Sequence, residues 1–218
     1  MSGQAAAELN SLEHDALTEL VNLGVGRAAV GLRNMVGSEV RLSVPSVAFV
    51  TRAKAAELVG NSESGKLVAV QQVFDGALSG RAMLIFPETN SLELVRAVTG
   101  GGLPLEDIIG LEPEALAETG NVILNGCLAV IANMLERTLQ ISLPEVLHGS
   151  PAEIFDIDGA VSQEAGVLFL YINFVVEYRD IRGYIAMLMD MPSLFTLKIL
   201  LGELIARTEG YHNDHAGG

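Results

Sequence analysis

The chain has 218 residues, half of them hydrophobic but only 5% aromatic, with no Trp and a single cysteine, Cys127. Its formal charge is −14, from 13 Lys and Arg against 27 Asp and Glu. This balance argues against a nucleic-acid or anionic-lipid binder, because no basic excess is available to neutralise phosphates. One cysteine cannot form an internal disulfide, and the N-terminus lacks the basic and apolar segments of a signal peptide, so we expect a cytoplasmic protein.

The mean hydropathy of +0.39 raises the question of a membrane. The longest uninterrupted apolar runs, such as 167–172 and 184–189, are much shorter than the roughly 20 residues that a spanning helix needs. We therefore expect no membrane insertion and a core of Ala, Val, Leu, Ile and Met.

The first half of the chain predicts a helix, a strand, a short helix, a hairpin and a second helix. Asn10 or Ser11 can cap the first helix, and Pro45 inside the first strand is typical of an edge strand or a bulge. An Asp75-Gly76 turn joins the hairpin strands. The predicted elements are a helix over 11–36, a strand over 39–51, a short helix over 53–59, strands over 67–74 and 78–86, and a helix over 90–99.

The same order of elements then recurs. The second half predicts a helix over 112–136, a strand over 138–147 with Pro144 inside, strands over 166–178 and 183–190, and a closing helix over 193–206. At a constant offset of 99 residues, identical residues coincide: Ala16/Ala115, Leu17/Leu116, Glu19/Glu118, Asn22/Asn121, Asn34/Asn133, Met35/Met134, Ser43/Ser142, Pro45/Pro144 and Val47/Val146.

This coincidence indicates an internal duplication. Two copies of one unit typically pack about a pseudo-twofold axis and share a sheet. We expect one domain over 1–218, with repeat one about 11–103, repeat two about 110–206, and flexible ends at 1–10 and 208–218.

A polar stripe is repeated on the first helix of each half. Residues three, four and seven apart share a helix face, whereas Leu17, Leu20, Val21, Gly24 and Ala28 fall on the opposite, inward side. One such stripe is most simply a solvated surface. Its retention in both copies, beside neighbours that differ, favours a function. The stripe residues are Asp15, Glu19, Asn22 and Gly26 in the first copy, and Glu114, Glu118, Asn121 and Asn125 in the second.

The spacing extends to the prolines. In each copy three residues separate the first acid from the Glu, two separate the Glu from the Asn, and twenty-two separate the Asn from Pro45 or Pro144. This pattern resembles that of the CheC/CheX/FliY family of chemotaxis phosphatases, and the length resembles its two-site, CheC-like members. One departure is Glu114, where the family has Asp or Ser. The resemblance implies an α+β fold: an internally duplicated antiparallel sheet with flanking helices and pseudo-twofold related halves.

The resemblance also implies a reaction. The family hydrolyses the aspartyl phosphate of a phosphorylated CheY-type response regulator, which ends a chemotaxis signal. Asn22 and Asn121 would orient the attacking water, since a neutral amide carbonyl can accept its hydrogen bond. Glu19 and Glu118 would anchor the regulator.

The remaining positions carry supporting roles in this interpretation. Asp15 and Glu114 would support the site, and Pro45 and Pro144 would bend the neighbouring strand. Gly26 would allow close approach of the partner, and Asn125 takes its place in the second copy. No metal or cofactor is expected on this chain, because the regulator supplies its own Mg²⁺. The resemblance names CheD as a further partner, and the two-site arrangement predicts a monomer.

Two alternatives stay open. The chain could be a non-catalytic binding module for a response regulator, CheD or a flagellar-switch component, or an enzyme with one working site. Other chemistries find little support: no Gly-Lys-Ser/Thr follows the Gly-rich segments, the four His have no metal-ligand spacing, and Cys127 lies in an apolar helix, which predicts a buried side chain.

Overall fold

The computed structural model describes residues 9–37, 39–62, 65–99, 102, 104–156, 166–176 and 179–215. This part of the chain forms six helices and a seven-stranded antiparallel sheet. The helices are α1 (Ser11–Val36), α2 (Arg52–Ser62), α3 (Glu88–Val98), α4 (Leu105–Met134), α5 (Pro151–Ile154) and α6 (Met191–His215). The strands are β1 (Val40–Thr51), β2 (Leu67–Gly76), β3 (Gly80–Pro87), β4 (Leu139–Ile141), β5 (Glu145–Gly149), β6 (Gly166–Val176) and β7 (Arg179–Met189).

The two halves are interleaved in one sheet. The strand order is β1-β6-β7-β3-β2-β4, and β5 also pairs with β2. Strand β1 of the first half therefore pairs with the second hairpin, whereas β4 and β5 of the second half pair with the first hairpin. The fold is the α+β, internally duplicated antiparallel sheet with flanking helices that the resemblance implies. The division into one domain with flexible ends stays a prediction, and residues 1–8 and 216–218 lie outside the described ranges.

The sheet is covered on both faces. Successive strand residues point to opposite faces, so Val68 and Val70 pack with α1, α3, α4 and α6, whereas Leu67 and Ala69 pack with α2 and α5. On the second face the buried Arg52 donates to the backbone oxygen of Phe155 at 3.0 Å, which fixes the short α5.

Helix α1 has the predicted bounds and the predicted inward face. Asn10 caps it in a capping box with Glu13, whose first-turn position also suits the helix dipole. Gly37 ends it in the left-handed conformation. The five residues predicted to point inward are all buried: Leu17, Leu20, Val21, Gly24 and Ala28.

The two prolines act on the sheet edges, as predicted. The β1–β6 register shifts between Ser43 and Ser46, around Pro45. On the other edge the strand predicted over 138–147 is interrupted at 142–144, around Pro144, and becomes β4 and β5. A proline has no N–H for the ladder, so each edge strand is irregular at this point.

Several element bounds differ from the prediction. Helix α4 begins at Leu105 instead of 112 and includes Pro113. Helix α6 continues to His215, past the end predicted at 206. The turn of the first hairpin follows Gly76, whose φ of +139° favours glycine. The short α5 was not predicted, because it is a single turn capped by Ser150.

Helix α4 is also the one described helix that is long and apolar enough to cross a membrane. Its most apolar window has a mean hydropathy of 1.5, and half of that window is buried inside the fold. The helix packs against α1 and β2, so core packing accounts for the buried half of this window.

Candidate functional site

The first stripe lies on the open face of α1. Asp15, Glu19, Asn22 and Gly26 are all exposed. Among the described residues, the side chains of Glu19 and Asn22 have no hydrogen-bond or ion-pair partner, so both are available to another molecule. A Cβ added to Gly26 would meet no atom of the chain within 4 Å. The structure therefore leaves open space where the sequence predicts close approach by a partner.

The start of α1 is anchored to two other elements. Glu13 lies 3.8 Å from Nζ of Lys198 in α6. The His14 ring nitrogen Nε2 lies 3.4 Å from the carbonyl oxygen of Val47, two residues after Pro45. Asp15 has an 81% exposed side chain, 3.9 Å from Nδ1 of His14. The first stripe therefore begins beside the irregular part of β1, and a supporting role for Asp15 stays a prediction.

The second stripe lies on α4 and is less open. Glu114 and Glu118 are exposed, whereas Asn121 and Asn125 are half-buried. The Asn121 oxygen Oδ1 accepts hydrogen bonds from Nδ2 of Asn125 at 2.8 Å and from Nε2 of Gln72 at 3.1 Å. Asn121 is therefore held by the protein, unlike its counterpart Asn22.

Gln72 was missed in the sequence, although β2 contains a signal. Its neighbours on the same face of the strand are Val68, Val70 and Phe74, all in the core. Gln72 is 1% exposed, and a buried amide requires hydrogen bonds. The alternation along β2 places this polar side chain on an otherwise apolar face. A polar residue at such a position indicates a structural or functional hydrogen bond.

Ser142 accepts the other hydrogen bond of Gln72, whose own oxygen Oε1 has no partner among the described residues. Its backbone oxygen accepts a second hydrogen bond from Nε2 of Gln72 at 2.9 Å. Ser142 is itself fixed to the edge of β2, since its backbone N–H donates to the oxygen of Val73 and its hydroxyl accepts from the Val73 N–H. The interruption around Pro144 thus presents a backbone carbonyl to the second stripe.

Close packing between α4 and β2 brings Asn121 to Gln72. A Cβ on Gly120 would lie 2.5 Å from Cγ1 and 2.6 Å from Cβ of Val70. These distances are far below van der Waals contact, so a glycine is required here. The residue next to Asn121 thus allows the helix to approach the strand.

The two halves differ at these contacts. Ser46 and Glu145 are equivalent positions, 99 residues apart. Ser46 pairs with Tyr171 and Glu145 pairs with Gln71, so Tyr171 is the counterpart of Gln71. The next residue along each strand, Ile172, is therefore the counterpart of Gln72. The counterpart of Asn125 is Gly26. The first half therefore has neither of the two amides that hold Asn121 in the second.

The site chemistry is that of amides and carboxylates. Burial raises the pKa of the Cys127 thiol to about 12, so this cysteine is protonated at neutral pH and is not a nucleophile. Among the described residues no three His, Cys, Asp or Glu side chains group together as a metal site. The stripes can donate and accept hydrogen bonds and pair with a cation.

The comparisons with known proteins agree with this fold. No family model matches the sequence. The chain is 23% identical over 205 residues to the CheY-P phosphatase CheC of Bacillus subtilis, covering 86% of this chain and 93% of that protein. It is 22% identical over 141 residues to the flagellar motor switch phosphatase FliY of the same organism, covering 64% and 36%.

Solved structures share the architecture. FliY of Thermotoga maritima matches with a TM-score of 0.69 at 19% identity, over 90% of this chain and 98% of that one. The FliM middle domain from H. pylori matches with a TM-score of 0.53 at 14% identity, over 88% and 99%.

The chain therefore shares its duplicated fold with FliY and the FliM middle domain, and it carries a Glu–Asn pair on the first helix of each half. In sequence the chain is similar to the CheC and FliY phosphatases of Bacillus subtilis, at 23% and 22% identity, which supports a place in the CheC/CheX/FliY family.

Proposed function

We propose that this chain hydrolyses the aspartyl phosphate of a CheY-type response regulator, with Asn22 orienting the attacking water and Glu19 anchoring the regulator. The observation that carries the proposal is the exposed Glu19–Asn22 pair on α1, whose side chains have no partner in the described part of the chain. The similarity to a protein named CheY-P phosphatase, at 23% identity over most of both chains, supports the same reaction.

The proposed reaction requires this chain only to position a water molecule. In the reaction, the oxygen of water attacks phosphorus and the bond from phosphorus to the aspartyl oxygen breaks. Inorganic phosphate and the free aspartate carboxylate result. Phosphoryl transfer is promoted chiefly by positioning and electrostatics. The carbonyl of Asn22 can accept a hydrogen bond from the water and hold it in line, and a neutral amide is not repelled by phosphoryl oxygens.

Glu19 lies one turn before Asn22 on the same face of α1. An exposed carboxylate one turn away from Asn22 can pair with a lysine of the regulator. This ion pair would set the orientation in which the two proteins dock. Gly26 lies one turn after Asn22, where the lack of a side chain leaves room for the partner. The Mg²⁺ needed for the reaction belongs to the regulator.

The test is the rate of phosphate loss from a phosphorylated CheY-type regulator, with and without this protein. Asn22→Ala, Asn121→Ala and the double variant are compared with Asn34→Ala, which removes an exposed amide elsewhere on α1. We expect the wild type and Asn34→Ala to accelerate the loss. The double variant should lose about tenfold or more of that acceleration, because the water is no longer positioned.

A binding module is the alternative. It would bind the phosphorylated regulator without changing the rate of phosphate loss, and this result would end the phosphatase proposal. The solved FliM middle domain shares the architecture, so the fold alone does not decide activity. A CheD partner, a monomeric state and a cytoplasmic location also stay proposals.

A further inference from the structure

We infer that Gln72 and Asn125 make the second Glu–Asn pair the slower of the two hydrolytic sites, by occupying the carbonyl oxygen of Asn121. Gln72 is the positioning residue in this arrangement. The inference rests on the proposed function and goes beyond it, because it assigns different rates to two sites that the sequence repeat makes look equivalent.

The first step concerns the oxygen of Asn121. An amide oxygen has two lone pairs that accept hydrogen bonds. In this structure Asn125 donates to it at 2.8 Å and Gln72 at 3.1 Å. Both lone pairs are therefore engaged inside the protein, and neither is available to accept a hydrogen bond from an attacking water.

The second step fixes the direction of these bonds. The backbone carbonyl of Ser142 can only accept, so Gln72 must present Nε2 to it at 2.9 Å. The same Nε2 faces Asn121, and the facing atom of Asn121 must therefore be the oxygen. Asn125 must then direct its own N–H₂ group toward the oxygen of Asn121. One backbone carbonyl thus sets the orientation of all three amides.

The third step is the consequence for water. Oriented in this way, Asn121 offers only its N–H₂ group to the partner. A donor binds one of the two lone pairs of the water oxygen, which lowers the electron density of the attacking atom, and it does not hold the water by its O–H group as a carbonyl would. Freeing the Asn121 carbonyl would leave one N–H of Gln72 and one N–H of the half-buried Asn125 without their present acceptor, which opposes the change.

The first half provides the comparison within the same chain. Ile172, the counterpart of Gln72, is a buried apolar residue, and Gly26, the counterpart of Asn125, has no side chain. Asn22 is exposed, and no internal amide competes for its carbonyl among the described residues. The first site can therefore orient a water directly.

The experiment isolates the second site with Asn22→Ala and then adds Gln72→Leu. Leucine resembles the apolar side chain that the fold accepts at Ile172. We expect kcat for phosphate loss to rise severalfold, up to about tenfold, with KM for the phosphorylated regulator unchanged, because docking through Glu118 is not altered. Asn125→Ala in the same background should act in the same direction by freeing the other lone pair.

Two controls make the result specific. Gln71→Leu removes a neighbouring amide of β2 that faces the other side of the sheet, and it should change neither constant. Adding Asn121→Ala to the Asn22→Ala/Gln72→Leu protein should abolish the gain, because Gln72 acts through Asn121. Thermal unfolding of each variant verifies that the fold is intact.

Three results would overturn the inference. In the first, Asn22→Ala retains most of the wild-type activity, which makes the second site the faster one. In the second, a folded Gln72→Leu variant and a folded Asn125→Ala variant both leave kcat unchanged or lower it. In the third, the wild type gives no acceleration at all, and this outcome removes the proposed function together with the inference. The first two leave the proposed reaction standing, although the first would move the main role from Asn22 to Asn121.

Discussion

Gly24 of α1 faces the backbone of Cys127 of α4 directly: a Cβ on Gly24 would lie 2.9 Å from the Cα of Cys127. One turn further along α1, a Cβ on Gly126 would lie 3.1 Å from the Cα of Ala28. The two helices that carry the Glu–Asn pairs therefore pack through small residues. This contact fixes the position of one candidate site relative to the other.

Two glycines of the same helix should respond oppositely to alanine. Gly24→Ala places a methyl group against backbone that cannot move easily, so we expect a loss of about 1–3 kcal/mol in the free energy of unfolding. Gly26→Ala enters open space and should stabilise the helix by about 0.5–1 kcal/mol. Urea denaturation measures both values.

The activity of the Gly26→Ala variant adds a functional readout. If a regulator approaches α1 closely at this position, the variant should be more stable and yet hydrolyse more slowly, with a raised KM. Unchanged kinetics in the stabilised protein would show that the regulator does not approach Gly26.

The thiol of Cys127 should report on unfolding. Because burial raises its pKa to about 12, the native thiol is protonated and shielded, and iodoacetamide at pH 8 should modify it only in urea. Rapid modification of the native protein would contradict the buried position.

The same group predicts a pH dependence of stability. The folded pKa is raised above the ordinary value of 9.0, so the unfolded chain loses this proton first as the pH rises. The contribution of the protonated Cys127 thiol to the free energy of unfolding is complete below pH 9.0 and is lost between pH 9.0 and about 12. The free energy of unfolding should therefore fall over this range in the wild type and fall less steeply in Cys127→Ala.

Thr119 carries a buried hydroxyl oxygen that has no hydrogen-bond partner among the residues that the structure describes. Its counterpart in the first copy is Leu20, also buried. Thr119→Val removes the unpaired oxygen and keeps the shape, so we expect a gain of about 1 kcal/mol in the free energy of unfolding. Thr119→Ser, which keeps the hydroxyl and deletes a methyl group, should instead destabilise the protein. A lower stability of the valine variant would mean that the hydroxyl has a partner such as water.

Gly120 should be essential for the approach of α4 to β2. Gly120→Ala would place a methyl group 2.6 Å from Cβ of Val70, so we expect a loss of about 1–3 kcal/mol. Adding Val70→Ala should recover part of the loss, because the two residues are in contact. Gly110→Ala, in an open part of the same helix, is the matched control and should not destabilise. If the two substitutions changed the free energy of unfolding additively, Gly120 and Val70 would not be in contact.

Local features of this protein could be predicted from the sequence because they depend on neighbouring residues. The bounds of α1, from Ser11 to Val36, follow from its periodicity, its capping residue and its C-terminal glycine. The prolines interrupt their strands because proline lacks an N–H. The single-turn α5 escaped prediction because four residues carry too little periodicity.

The sequence by itself determined that two equivalent stripes exist and that each is carried on one face of a helix, since helical periodicity needs only the order of residues. The tertiary structure decided that the stripes are not equivalent. Gln72 and Asn121 are 49 residues apart, and they meet only because Gly120 lets α4 approach β2 and because the edge strand presents the carbonyl of Ser142. Hydrogen bonds of this kind depend on distances between separate elements, and those distances arise only from packing.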